Sequence, residues 1–138
     1  MADNKKIALL IDAENVSPKY IKIIFDEMSK YGVVTIKRIY GDWTNNSNAS
    51  WKAQIAENAL VTIQQFQNTN NKNSSDSALI IDAMDILYSK DVDCFCIVSS
   101  DSDFTRLITR LREDGKTVYG MGEKKSPKSI INSCDKFI

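Results

Sequence analysis

Residues 7–11 read Ile-Ala-Leu-Leu-Ile, apolar without a break, and the run stops at Asp12. Such a run has neither a helical period nor strict alternation. It is the pattern of a strand buried on both faces of a parallel sheet. Residues 94–98, Cys-Phe-Cys-Ile-Val, repeat the pattern and exit into Ser99-Ser100-Asp101-Ser102-Asp103. Between and beyond these two runs the chain alternates. Ser17-Pro18 opens a helix with an apolar stripe of Ile21, Ile24, Phe25 and Met28, and Gly32 stops it. Val33 to Tyr40 reads as a strand ending in Gly41-Asp42-Trp43. Asn45 to Ser50 reads as a polar loop, Trp51 to Ala59 as a weak helix, and Leu60 to Phe66 as a third strand. Asn68 to Ser75 is rich in Asn and Ser and reads as a mobile loop. Ser75 or Asp76 then caps a helix carrying Leu79, Ile80, Ala83, Ile86 and Leu87. A helix over Phe104 to Arg112, a strand over Thr117 to Tyr119, a short helix after Ser126-Pro127 and a terminal strand at Lys136 to Ile138 complete the series. Strand and helix alternate about five times. This predicts an α/β fold: an open, mainly parallel sheet of five to six strands, with right-handed crossovers placing helices on both faces.

A chain of 138 residues, 43% hydrophobic, suits one domain, here residues 1–138. The same stretch can be the N-terminal part of a longer protein. Eighteen basic and eighteen acidic residues cancel, so net charge selects no partner. The absence of histidine is more informative. It excludes Ser-His-Asp and Cys-His catalysis, and histidine acid–base or metal chemistry, within this chain. Thirteen of the eighteen acids are Asp, so acidic chemistry here is carboxylate chemistry. Cys94, Cys96 and Cys134 are odd in number and include no CxxC pair. Cys94 and Cys96 are expected on one core-facing side of a strand, in a reduced, cytoplasmic protein. No signal peptide is visible, and no apolar run approaches the ~20 residues of a membrane span.

In open parallel sheets, ligands bind beyond the carboxyl ends of the strands. Asp12 follows the first strand, with Asn15 three residues on; Asp42 follows the second; Asp101 and Asp103 follow the fourth; Asp76 opens a helix. Each has an ordinary reading. Asp12, Asp76 and Asp101 suit helix caps, Asp42 suits a turn beside Gly41, and Asp103 suits a first helical turn. Together they ask for more. The first and fourth strands should be neighbours at the topological switch point, bringing Asp12 and Asp101 side by side. Like charges that close are unfavourable unless a cation offsets them, and no histidine or arginine follows either strand closely enough to be an obvious partner. A hard divalent cation is the economical partner for such oxygens. Other acidic folds do not fit. Asp12-Ala-Glu14 lacks the second Asp of a haloacid-type phosphatase, no GxGxxG or GxxxxGK[ST] is present, and the third strand ends without a phosphoacceptor Asp.

The segments Leu9-Leu-Ile-Asp-Ala-Glu-Asn-Val16, Ser74-Ser-Asp-Ser-Ala-Leu-Ile-Ile-Asp82 and Val98-Ser-Ser-Asp-Ser-Asp-Phe104 resemble the NYN domain, in the LabA-like branch of the PIN-like ribonucleases. Gly115 to Gly120, Ser126 to Asn132 and Cys134 to Ile138 resemble it too, so the likeness covers nearly the whole chain. The resemblance implies a PIN-like parallel sheet of order 3-2-1-4-5. It also implies hydrolysis of single-stranded RNA phosphodiesters with Mg²⁺ or Mn²⁺. By resemblance Asp12, Asp76 and Asp101 are metal ligands and catalytic, and Asp103 is a more variable catalytic acid. Asn15 and Asp42 are supporting residues, and Glu14 is common at its position. Asp82 matches a recurrent helix acid, but six residues from Asp76 is not one helical face, so it should point elsewhere. Lys72 matches a recurrent basic residue. Family members often carry a further RNA-binding domain after this one.

A carboxylate cleft repels phosphate, so RNA needs cations around it. Candidates are Lys37, Arg38, Lys52, Lys72, Lys124, Lys125 and Lys128. Trp43 is a candidate for base stacking, whereas Trp51 fits the core better. Lysine runs are commonly solvated faces, and Arg106 and Arg110 share a helix face where they can equally pair with acids. The leading expectation is a metal-dependent endoribonuclease. The alternatives are a weak or inactive RNA-binding module of the same fold and a regulatory interaction protein. The sequence leaves the oligomeric state open, a homodimer included.

Overall fold

A computed structural model describes residues 5–44, 46–65, 77–123 and 125–138. Six strands form one sheet among them: β1 (Lys6–Asp12), β2 (Val33–Gly41), β3 (Val61–Gln64), β4 (Cys94–Val98), β5 (Thr117–Met121) and β6 (Lys136–Phe137). Their order is β3-β2-β1-β4-β5-β6, and every pairing is parallel. This is the expected order with β6 added beyond β5. The helices are α1 (Ile21–Met28), α2 (Lys52–Asn58), α3 (Ser77–Ser89), α4 (Thr105–Glu113) and α5 (Lys128–Ser133).

The pleat sorts the apolar runs into two cores. Ala8 and Leu10 of β1 join Phe95 and Ile97 of β4 on one face, under Leu79, Ala83 and Ile86 of α3 and Leu107, Ile108 and Leu111 of α4. Ile7, Leu9 and Ile11 join Cys94, Cys96 and Val98 on the other, under Ile21, Ile24 and Met28 of α1. Residues 7–11 and 94–97 are each 0% exposed, because both faces of these central strands are covered. Burial pushes all three thiols up, Cys96 most, so none is a ready thiolate.

Two local expectations need adjustment. The polar stretch before α2 is not an open loop: Asn46–Trp51 winds into a 3₁₀ turn that seats Trp51 in the α1-side core at 1% exposure. The third strand is shorter than expected. The chain leaves α2 through Ala59, in the left-handed region at φ 54°, and Leu60 is a buried connector before β3 begins at Val61. At the opposite side of the sheet, Gly120 permits a close approach. A Cβ there would lie 2.5 Å from Cys134 Sγ and 2.8 Å from Phe137, so α5 and β6 can press against β5 only over a glycine.

Candidate metal centre

The chain reverses its winding direction between β1 and β4, and the two strands run side by side up to the pair Ile11 and Val98. Both leave the sheet in the same way. Asp12 caps a 3₁₀ turn over Ala13–Asn15, and Asp101 caps another over Ser102–Phe104. Asp12 Oδ1 accepts the Glu14 N–H at 3.2 Å, and Asp101 Oδ1 accepts the Asp103 N–H at 2.9 Å. The ordinary capping role is therefore real for both. Capping uses one oxygen of each, which leaves further acceptor capacity on both carboxylates.

Ser99 joins the two caps. Its hydroxyl donates to Asp12 Oδ2 at 2.8 Å and accepts the Asp101 N–H at 3.0 Å. Asn15 Nδ2 donates to the same Asp12 oxygen at 2.6 Å. Asp12 is 2% exposed. Burial holds its pKa above the ordinary carboxylate value; the hydrogen bonds from Asn15, Ser99 and Glu14 oppose that rise, and the nearby charge of Asp101 adds to it. Neither Asp12 nor Asp101 forms an ion pair among the described residues. Two adjacent acids, one of them buried, thus have no protein cation among the described residues. Their hard oxygens fit Mg²⁺ or Mn²⁺. Among the described residues, no three acids or cysteines are grouped to hold an ion. Asp76 lies outside those residues, as do Lys72 and Lys124.

The remaining expected residues divide by location. Asp103 is exposed, beside the Asp101 cap. Asp42 belongs to the turn leaving β2, where Oδ1 accepts the Thr44 N–H at 3.0 Å and Gln64 Nε2 at 2.9 Å. Asn48 ties this turn to the first strand end, donating to Glu14 Oε2 at 2.8 Å and to the Asp42 carbonyl at 2.9 Å. Trp43 packs on the α1-side core and donates its indole N–H to the Ile63 carbonyl at 3.0 Å. Lys37 and Arg38 sit in mid-strand and alternate to opposite faces. Lys37 Nζ lies 5.8 Å from the Phe25 ring centroid, and Arg38 pairs with Asp82 at 2.7 Å. Asp82 also accepts the Tyr40 hydroxyl, so it faces the sheet. Arg38 therefore acts first as a tie between β2 and α3. Sequence reasoning assigned no role to Ser99, Asn48 or Gln65. Gln65 is buried, and its Oε1 accepts the Ala78 N–H at 3.1 Å, fixing the first turn of α3.

A six-stranded parallel α/β sheet with two carboxylates at its switch point defines the fold class. The chain matches the NYN domain over residues 6–138 and belongs to that family, part of the PIN-like ribonuclease superfamily. It is 31% identical over 137 residues to an uncharacterised protein of Methanocaldococcus jannaschii, covering 96% of this chain and 54% of that protein. The chain thus spans about half the length of that curated relative. Among solved structures it is similar to a Vibrio parahaemolyticus protein of unknown function, at TM-score 0.78 and 20% identity, covering 100% of this chain and 94% of the other. It also superposes on part of the WlbA dehydrogenase of Bordetella pertussis, solved with NADH and UDP-GlcNAcA, at TM-score 0.50 and 13% identity, covering 100% of this chain and 36% of that one. At these identities the two structures speak for the fold alone.

Proposed function

We propose that this domain is a divalent-metal-dependent endoribonuclease acting on single-stranded RNA, of the LabA-like branch. The observation that carries the reading is the buried Asp12 carboxylate, beside Asp101 and without a cationic partner among the described residues. Asp12 and Asp101 are the ion's ligands in this reading, and Asp76 completes the set. Mg²⁺ or Mn²⁺, when bound, supplies an activated water and neutralises charge on the attacked phosphate. Asn15 and Ser99 hold Asp12 in one orientation through bonds of 2.6 and 2.8 Å. The Ser99 hydroxyl also fixes the backbone at Asp101, so the two carboxylates keep a set relation. In this reading Asp103, at the rim, would orient water or the leaving group, and Asp42 supports the neighbouring turn. Lys72, Lys124 and the exposed part of Trp43 are the proposed RNA contacts beyond this centre.

The test is cleavage of single-stranded RNA with Mn²⁺ or Mg²⁺, against an EDTA control. Asp101→Asn should reduce cleavage to background with the fold intact, because Asn keeps the oxygen that caps Asp103 while removing the anion. A second reading is an RNA-binding module without turnover. It replaces the first if wild type binds RNA, shows no metal-dependent cleavage, and Asp101→Asn changes nothing.

A further inference from the structure

A cavity of about 660 Å³ opens beside the carboxylate pair, on the α1 side of the sheet. Its size lies in the range of small-molecule sites. Val98 and Met121 form its floor, because β4 and β5 end there with these side chains turned toward the α1-side core. Tyr20 and Ile23 form its outer wall. Ile24 of the same helix packs inward at 2% exposure, but Tyr20 and Ile23 remain 40% and 53% exposed at the mouth. Ser17 caps the turn that carries Tyr20, and Lys19 Nζ stands 5.1 Å from the Tyr20 ring centroid.

Asn15 connects the cavity to the metal centre. Its side chain lines the cavity and also donates to Asp12. A ligand filling the cavity is therefore one residue away from the carboxylate pair. The walls are apolar and aromatic, whereas the rim carries charge: Lys19 on Tyr20, and Lys125 with Glu123 at 4.0 Å. An apolar slot beside an anionic, metal-fitting centre, with ammonium groups at the lip, matches an unpaired nucleotide. The base takes the slot, with its π-face against Tyr20. The phosphates lie outside, toward the lysines and the carboxylates. A base still stacked in a duplex cannot enter.

We propose that this cavity is a nucleobase pocket, which seats one splayed base of the RNA strand next to the phosphate presented to Asp12 and Asp101. The pocket rests on the nuclease reading for its register but can be measured without turnover. The probes are adenosine, 5′-AMP and ribose 5-phosphate, titrated into the metal-free domain and followed by amide chemical shifts. Adenosine and 5′-AMP should shift Val16, Tyr20, Ile23 and Gly122, and ribose 5-phosphate should leave them in place. Tyr20→Ala should weaken adenosine binding roughly tenfold, the scale of one lost stacking partner. Ile23→Glu, at a more exposed position, should do likewise. Neither should alter the melting shift produced by Mn²⁺, since neither touches Asp12. Equal binding of ribose 5-phosphate, shifts confined to another surface, or indifference to both variants would overturn the pocket. A dimer that becomes a monomer in Tyr20→Ala or Ile23→Glu, with nucleoside binding unchanged, would show a self-association face and overturn it too. Wild type that cleaves RNA while adenosine leaves these amides unshifted rejects the pocket and keeps the nuclease. Adenosine binding there without any metal-dependent cleavage supports the pocket and rejects the nuclease.

Discussion

The hydroxyl of Ser99 is fully buried and bonded on both sides, to the Asp12 carboxylate and to the Asp101 backbone. It satisfies Asp12 without neutralising it. Asp12 therefore keeps the cost of a buried anion, visible as its raised pKa, with Asp101 adding repulsion. The sign of the consequence is fixed. The folded state binds a proton that the unfolded state has released, across the window between the ordinary carboxylate pKa and the raised folded value. Stability from this group is lost as pH rises through that window and stays lost above it. Each unit of the rise corresponds to about 1.4 kcal/mol. Asp12→Asn removes the charge. It keeps an oxygen for Asn15 and Ser99 and disturbs only the 3.2 Å bond from Glu14. In EDTA at neutral pH, Asp12→Asn should melt at least as high as wild type, by up to a few degrees. Its lead should shrink as the pH is lowered into the acid window. Millimolar Mn²⁺ should raise the melting temperature of wild type and leave Asp12→Asn nearly unmoved, which scanning calorimetry reads directly. A wild type indifferent to metal would remove the ion from this site.

Among the described residues, Asp82 ties helix α3 to the sheet within an otherwise apolar face. Asp82 receives Arg38 at 2.7 Å and the Tyr40 hydroxyl, and Tyr40 is 1% exposed. Burial and the neighbouring Asp82 charge push the Tyr40 phenol well above its ordinary pKa, so it remains a proton donor. Asp82→Ala would leave a buried hydroxyl and a three-quarters-buried guanidinium unpaired. It should cost about 2–3 kcal/mol in urea unfolding, whereas Asp82→Asn should recover part of this by accepting from Tyr40. A loss below about 0.5 kcal/mol would mean the contact is no more than a surface pair. This contact also explains where sequence reading stops. β1 and β4 are legible because burial on both faces leaves an unbroken apolar signature. β3 has three exposed residues of four, and β6 has two residues, so their limits carry little pattern. Arg38 read as an RNA contact because its partner lies 44 residues away, and pairing at that distance leaves no local trace.

Across the whole molecule, charge is balanced at eighteen and eighteen, and among the described residues six basic side chains pair with acids within 3.1 Å. Lys6 meets Asp91, Lys22 meets Asp26, Lys30 meets Glu27, Arg110 meets Asp114, and Arg112 meets Asp135, in addition to Arg38 with Asp82. The candidate centre was legible because strand-end carboxylates stand where parallel sheets bind ligands. Ser99 was not, because a serine after a strand fits an ordinary bend equally well. The proposed RNA contacts were the least legible part: a lysine's role depends on which acids the fold brings to it. With zero net charge, the chain as a whole exerts no overall attraction on phosphate. If the domain binds RNA as proposed, few phosphate contacts are expected and base stacking carries the rest. Single-strand affinity should therefore fall only gently with salt. At ~0.7 per neutralised phosphate, two to four contacts give a slope of log affinity against log salt of about −2. Lys72→Ala should flatten that slope by about 0.7 and weaken binding at low salt, with little change in the Mn²⁺ melting shift. Filter binding or anisotropy across a salt series, using Asp101→Asn to prevent cleavage, gives both numbers. A slope steeper than about −4 would reveal a wide cationic track and remove the reason for expecting the base to share the work.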